Sequence, residues 1–288
     1  MSGMQQVLVL RIIVLGLVLF VTVGLSVPHF ETRTSGELSV RFLDVGQGDA
    51  IHVVTPDGVE VLIDGGPDAT VLRELATTRS FFDKTVDVVV ATHPDADHVS
   101  GLVDVLERFT VGVVVATAVE HDTPAAAQFA RAVVLEQAQQ VVVDSPMTIQ
   151  LGASTTLRIL APQGDTTRWN SNAASIVMQL IYGDIAFFLT GDAPDTIEQY
   201  LVRLYGSSLE SDVLKLGHHG SDTSSNGQLL DAVSPKYAVV SAGADNRYGH
   251  PHPAVVGRVV ARDISMLETA ELGTIEFRTD GRQVWVQN

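Results

Sequence analysis

The stretch that most constrains this chain is His93-Pro94-Asp95-Ala96-Asp97-His98, with two imidazoles and two carboxylates in six residues. It follows an apolar, β-branched run, Val86-Asp87-Val88-Val89-Val90-Ala91-Thr92, which reads as a buried strand. A buried strand that runs into a knot of charged and ionisable side chains is costly unless something compensates the charge. Side chains of these types at this spacing are the donor set of a metal site.

The same arrangement recurs along the chain. Glu60 to Ile63 reads as a strand that stops at Asp64-Gly65-Gly66, Ile185 to Thr190 as one that stops at Gly191-Asp192, and Val213 to Leu216 as one that stops at Gly217-His218-His219-Gly220-Ser221. Residues at strand ends can converge on one sheet edge while lying far apart in sequence. Each also has a plainer reading: Asp64-Gly65-Gly66 as a turn, Asp192 as a helix N-cap, and the histidine pair as polar loop residues. Their shared position beyond an apolar strand groups them.

The strands fall into two groups, each followed by alternating helices and strands. That order predicts an α/β (α+β) chain with two sheets packed face to face and helices outside, a four-layer αββα sandwich. With 288 residues and 45% apolar side chains the chain can build such a core over residues 37–288. Residues 1–30 stand apart. Val7 to Val27 is apolar except for Arg11, a length close to the roughly 20 residues that span a bilayer. Two readings follow. A retained signal-anchor helix, with Arg11 on the cytoplasmic side, leaves the domain membrane-anchored and extracytoplasmic. A signal peptide cleaved near Gly24-Leu25-Ser26 leaves it secreted.

There is no cysteine, which excludes disulfides, thiolate zinc sites and cysteine nucleophiles. Any metal must therefore be held by nitrogen and oxygen donors. The net charge of −16, from 18 basic and 34 acidic residues, argues against a broad phosphate-binding face.

His93-x-Asp95-x-Asp97-His98 resembles the metal signature of the metallo-β-lactamase superfamily, usually written His-x-His-x-Asp-His. More narrowly, the chain resembles the metallo-β-lactamase-like domain of ComEC-type DNA-uptake (competence) proteins. The stretches that carry the resemblance are Phe42-Leu43-Asp44-Val45-Gly46-Gln47-Gly48-Asp49-Ala50, Leu62-Ile63-Asp64-Gly65-Gly66, Thr92 to His98, and Asn170-Ser171-Asn172-Ala173-Ala174-Ser175. Leu189-Thr190-Gly191-Asp192, Leu214-Lys215-Leu216-Gly217-His218-His219-Gly220-Ser221 and Tyr248-Gly249-His250-Pro251 complete them.

The resemblance implies the αββα fold and a hydrolytic site with one or two divalent ions, Zn²⁺ or Mn²⁺. By position, His93 and Asp95 would face one ion, Asp97 and His98 the other. Asp192 would bridge, and His218 or His219 would complete the set. Asp64 and Asp44 would support the ligands from behind. Asp97 would orient or deprotonate the nucleophile, and Lys215 and His250 would stabilise an anionic transition state. Two departures stand out: Asp95 replaces a histidine, and no histidine lies between His121 and His218. Both make the first ion position richer in oxygen, which suits Mn²⁺.

The expected reaction is hydrolysis of a phosphodiester, with single-stranded DNA as the polymer the resemblance suggests. A role in DNA uptake would need a separate channel partner. Hydrolysis of a carboxylic ester, lactone or thioester is the alternative enzyme, and a non-catalytic membrane-anchored binding module the alternative class.

Overall fold

The computed structural model describes residues 36–79 and 83–287. The segment expected to anchor the chain, residues 1–30, lies outside the described residues. Among the described residues, no helix is long and apolar enough to cross a membrane.

The first sheet is built from β1 (Leu38–Phe42), β2 (Ile51–Val54), β3 (Glu60–Ile63), β4 (Thr85–Ala91), β5 (Thr110–Thr117) and β6 (Gln139–Val143). The second takes β7 (Met147–Leu151), β8 (Thr155–Ala161), β9 (Val177–Tyr182), β10 (Ile185–Leu189), β11 (Val213–Lys215), β12 (Tyr237–Val240) and β13 (Ser265–Glu268). The chain then returns to the first sheet with β14 (Ile275–Thr279) and β15 (Val284–Gln287), giving the order β15-β14-β1-β2-β3-β4-β5-β6.

Both sheets change character midway. Strands β1 to β3 pair antiparallel, and β3 to β6 run parallel. Strands β7 to β10 pair antiparallel, and β10 to β13 run parallel. The parallel halves need helical crossovers. These are α1 (Thr70–Thr78), α2 (Ala96–Arg108) and α3 (Pro124–Glu136) on the first sheet, and α4 (Asp195–Tyr205), α5 (Gly227–Val233) and α6 (Pro253–Val260) on the second, with a short α7 (Thr269–Leu272) before β14.

Three apolar clusters fill the three interfaces of the four layers. Between the sheets lie Val40, Val88, Val90, Leu157, Met178 and an edge-to-face aromatic group in which Phe42 and Phe187 each meet Phe277. Behind the first sheet, Leu62, Val89 and Val114 meet Leu75, Val99, Leu102 and Phe129 of the helices. Behind the second, Phe188 and Leu214 meet Leu201, Leu229, Val255 and Val259. Val88 and Val90 face one interface and Val89 the other. This explains the unbroken apolar run of β4, since a strand covered on both sides needs no polar face.

The architecture is the expected sandwich. Three strands follow the last long helix, β13, β14 and β15. Of these, β13 is a short, half-buried edge strand whose Ser265-Met266-Leu267-Glu268 pattern carries no alternation.

Candidate metal centre

The parallel strands of both sheets point their C-terminal ends at one edge, and the loops there bring the polar clusters together. From the first sheet come Asp49 before β2, Asp64 after β3, and His93 to His98 after β4. From the second come Asp192 after β10 and His218-His219 after β11.

Three imidazoles are held by the same device. Asp64 is buried, with Oδ1 accepting the Thr92 N–H at 2.8 Å and Oδ2 accepting the Thr92 hydroxyl at 2.7 Å. Its Oδ2 also accepts His98 Nδ1–H at 2.8 Å. Thr92 has given its only hydroxyl proton to Asp64, so its oxygen accepts from His93 Nδ1, 3.0 Å away. The Ser241 carbonyl, 2.9 Å from His219 Nδ1, can only accept. All three rings thus carry the proton on Nδ1 and turn the Nε2 lone pair inward.

Those lone pairs meet at Asp192. Its Oδ2 lies 3.4 Å from His98 Nε2, 3.5 Å from His219 Nε2, 3.7 Å from His218 Nε2 and 3.8 Å from His93 Nε2. The Nε2 atoms of His93, His98 and His219 are buried and have no hydrogen-bond partner. Lone pairs aimed at a carboxylate repel it unless a cation lies between them. These residues therefore fit a divalent ion held by nitrogen and oxygen, with the second layer of hydrogen bonds such a site requires. Of four overlapping donor sets among the described residues, each with its ligand atoms within 4.8 Å of one another, two combine the expected ligands, His93–His98–Asp192 and Asp97–His98–His219, and the other two bring in Asp49. His98 belongs to both of the former, whereas the sequence reading gave it to one ion.

Without an ion, protons carry the compensating charge. Burial disfavours a charged His219, but Asp192 and Asp49 outweigh it and raise the ring to about 9. His98 is likewise pushed up by Asp192 and Asp64 against its burial. His93, whose ring centroid is 4.1 Å from that of His98, is driven down to about 3 by burial and by the charge on His98. Asp192 is held well below the carboxylate range, because His219 and His98 overcome the cost of burial.

The histidine pair divides its work. His219 is buried, with Nε2 3.4 Å from Asp97 Oδ2 as well as close to Asp192. His218 lies on the open rim, with Nδ1 3.3 Å from Thr223 Oγ1 and its ring against His250. Both adopt left-handed backbone conformations, φ +50° and +56°, which are uncommon for residues with a side chain. The loop is held by its hydrogen bonds: His218 N–H to Gly191 O at 3.1 Å, and Gly217 N–H to Ser225 Oγ at 2.9 Å. Buried Glu198 of α4 in turn holds Ser225 and Asn226.

Other expected residues take other places. Lys215 is fully buried beneath the centre, so it cannot face a substrate; its Nζ lies 2.5 Å from Asp49 Oδ2. Asp44 stays out of the cluster and caps its own turn, accepting the Gly46 N–H at 3.2 Å. Asp95 and Asp97 are half-exposed at the opening, with Asp95 Oδ2 3.8 Å from His93 Nε2. Ser175 accepts the Asp192 N–H through its hydroxyl at 3.2 Å and so helps to position Asp192.

Two contributors were not singled out from sequence. Asp49 lies 3.3 Å from His219 Nδ1 and 4.0 Å from His98 Nδ1 as well as beside Lys215. His121, from the loop after β5, brings Nε2 to 3.5 Å from Asp95 Oδ1. The only sequence signal for Asp49 is its place in the Gly46-Gln47-Gly48-Asp49 turn. There Gly48, at φ +130°, lies so close to Asp97 O that a Cβ would be 2.2 Å from it.

The comparisons with known proteins agree with this geometry. The family model "Metallo-beta-lactamase superfamily" matches residues 43–244. Competence protein ComA of Neisseria gonorrhoeae is 33% identical over 248 residues, covering 86% of this chain and 33% of that protein. ComE operon protein 3 of Bacillus subtilis is 29% identical over 272 residues, covering 86% and 34%. The chain thus spans about a third of the length of these curated relatives. Among solved structures, CmlA, a diiron β-hydroxylase from Streptomyces venezuelae, superposes with a TM-score of 0.54 at 17% identity, over 87% of this chain and 54% of that one. The chain belongs to the metallo-beta-lactamase superfamily, with the strand-end histidines and aspartates of its sandwich as the candidate metal ligands.

Proposed function

We propose that this domain is a metal-dependent hydrolase that cleaves phosphodiester bonds, with single-stranded DNA as its polymer and DNA uptake as its setting. The observation that carries the hydrolase reading is the convergence of three unpartnered, buried imidazole Nε2 atoms on Asp192. The polymer and the setting rest on similarity to the competence proteins.

His93, His98, His219, Asp97 and Asp192 would hold one or two divalent ions, with Asp95 at the edge of the first. When bound, such ions acidify water and polarise a phosphoryl oxygen. Asp97, half-exposed at the opening, is placed to orient the attacking water. Asp64, Ser241 and Thr92 keep the imidazoles in the ligating tautomer. His218 and His250, on the rim, are placed to meet the leaving oxygen or a non-bridging phosphate oxygen. Lys215 acts from below by fixing Asp49 and Asp192. Asp95, standing where the superfamily signature has a histidine, adds a carboxylate oxygen beside the first set, a donor that suits Mn²⁺. An extracytoplasmic location, a membrane anchor in residues 1–30 and a separate channel for the DNA complete the proposal.

The test begins with the metal content of the purified protein. The Mn²⁺- or Zn²⁺-loaded protein is then incubated with bis-p-nitrophenyl phosphate and with labelled single-stranded DNA, beside an Asp97→Ala/His98→Ala control. Cleavage well above the control is expected. Bound metal with no cleavage of either substrate would reject the phosphodiesterase reading and leave a binding module or an ester hydrolase.

A further inference from the structure

A strip of rings leads away from the metal centre toward the surface. His250 packs edge-on against His218 with ring centroids 5.8 Å apart. Tyr248 stacks on His250 at 5.7 Å, with ring planes 22° apart. Arg247 extends the strip: its guanidinium carbon is 5.0 Å from the Tyr248 ring centre, and Nη2 donates to the Tyr248 hydroxyl at 2.8 Å. The strip begins at a residue whose Nε2 is 3.7 Å from Asp192 and ends at a tyrosine that is 54% exposed.

One exposed tyrosine is ordinary on a protein surface, but this one is part of a built arrangement. The Asn246 side-chain amide donates to Gly243 O at 2.8 Å and to His250 O at 2.7 Å, and its Oδ1 accepts the His250 N–H at 2.9 Å. That clip closes the backbone turn that carries Tyr248 and His250. The His252 N–H, donated to Gly220 O at 2.9 Å, ties the same turn to the histidine loop. His250 Nδ1 is buried with no hydrogen-bond partner, while the ring meets His218 at its edge and Tyr248 on one face and the residue stays partly exposed.

We propose that the Tyr248–His250 strip is a stacking subsite for an unpaired nucleobase beside the scissile phosphodiester, with Arg247 supplying positive charge at its outer end. The inference rests on the phosphodiesterase reading and adds what the site discriminates. Every base has a π-face, so an aromatic platform grips a strand without reading its sequence. In a duplex those faces are covered by neighbouring bases. A chain with net charge −16 lacks the general positive field that holds a phosphate backbone, so stacking supplies grip that a basic groove would otherwise give.

The test uses the full chain with Mn²⁺ and fluorescence anisotropy of labelled phosphorothioate oligothymidylate, whose slow cleavage lets binding be read. The wild type is expected to bind it about tenfold more tightly than an abasic tetrahydrofuran oligomer of equal length, and about tenfold more tightly than the same strand annealed to its complement. Tyr248→Ala is expected to shrink both differences below about twofold, and Tyr248→Phe to keep them. Equal binding of base-bearing and abasic strands, or a preference that survives Tyr248→Ala, overturns the subsite. Cleavage of unmodified oligothymidylate is measured alongside. Cleavage without base preference overturns the subsite alone; base preference without cleavage overturns the hydrolase reading and leaves the subsite standing.

Discussion

Lys215 Nζ lies 2.5 Å from Asp49 Oδ2, and this buried pair forms the floor beneath the imidazoles. The ammonium also donates to Gly191 O at 3.3 Å and lies 3.8 Å from Asp192 Oδ1, so one cation serves carboxylates from both sheets. Burial disfavours its charge, but Asp49 and Asp192 more than compensate and raise its pKa. Removing one member of such a pair strands the other, at about 3–5 kcal/mol. Lys215→Met is expected to lower the unfolding free energy by about 3 kcal/mol in a denaturant titration. Adding Asp49→Asn to the same chain is expected to recover part of that loss; no recovery would mean the two residues act independently.

The histidine pair gives a second prediction. His219→Ala removes a donor between Asp97 and Asp192 and is expected to weaken metal binding by more than about a hundredfold, beyond the effect of losing an outer hydrogen bond. His218→Ala is expected to weaken it by less than about tenfold and to slow turnover by about a hundredfold. Competition against a chromophoric chelator, with phosphodiester turnover measured in parallel, separates the two. The reverse order of affinities would exchange their roles.

Metal uptake is expected to release protons near neutral pH. His219, raised to about 9 by Asp192 and Asp49 against its burial, is an imidazolium before the ion arrives and, ligating through Nε2, keeps only its Nδ1 proton afterwards. Apparent affinity then climbs with pH and levels off near about 9. Calorimetry in two buffers of different ionisation enthalpy reads the released proton directly, and identical heats in both would contradict the assignment.

Glu198 predicts a slope in stability. It accepts N–H groups from Ser225 at 2.6 Å and from Asn226 at 3.0 Å, and burial lifts its carboxyl from 4.5 to about 7. The folded chain therefore keeps a proton that the unfolded chain has already lost. This contribution is complete below about pH 4.5 and disappears as pH rises through about 7, a change of about 3 kcal/mol. Glu198→Gln is expected to flatten that part of the stability–pH curve. Equal slopes in both proteins would assign the effect elsewhere.

Gly101 reverses an ordinary rule. Glycine to alanine within a helix usually stabilises by about 1 kcal/mol. Here a Cβ would lie 1.9 Å from Gly65 O, where α2 presses on the turn after β3. Gly101→Ala is expected to destabilise by about 3 kcal/mol, read as a fall in Tm, and to loosen the Asp64–His98 contact.

Much of this was legible in the sequence, for definable reasons. Strands covered on both faces show as apolar runs, and their ends show as sudden clusters of ligand-type residues; β4 and His93 to His98 are the clearest case. Helix α2 shows because Val99, Leu102 and Leu106 keep a helical period. What stayed hidden depends on partners far away in the chain. Asp49 looks like any aspartate in a glycine-rich turn until Lys215 folds beneath it. Lys215 looks like a strand-end cation available to a substrate until its buried depth is known. The tautomer of His219 is fixed by a backbone carbonyl, that of Ser241, which no side-chain pattern announces.

The division of ligands between the sheets has a mechanical meaning. His93, Asp97 and His98 ride on one half of the sandwich, Asp192 and His219 on the other. An ion gripped by both would be a removable rivet at the edge where the halves would otherwise part. Metal supply would then set how readily that seam opens under strain, and limited proteolysis of the domain would report its metal status as faithfully as its chemistry does.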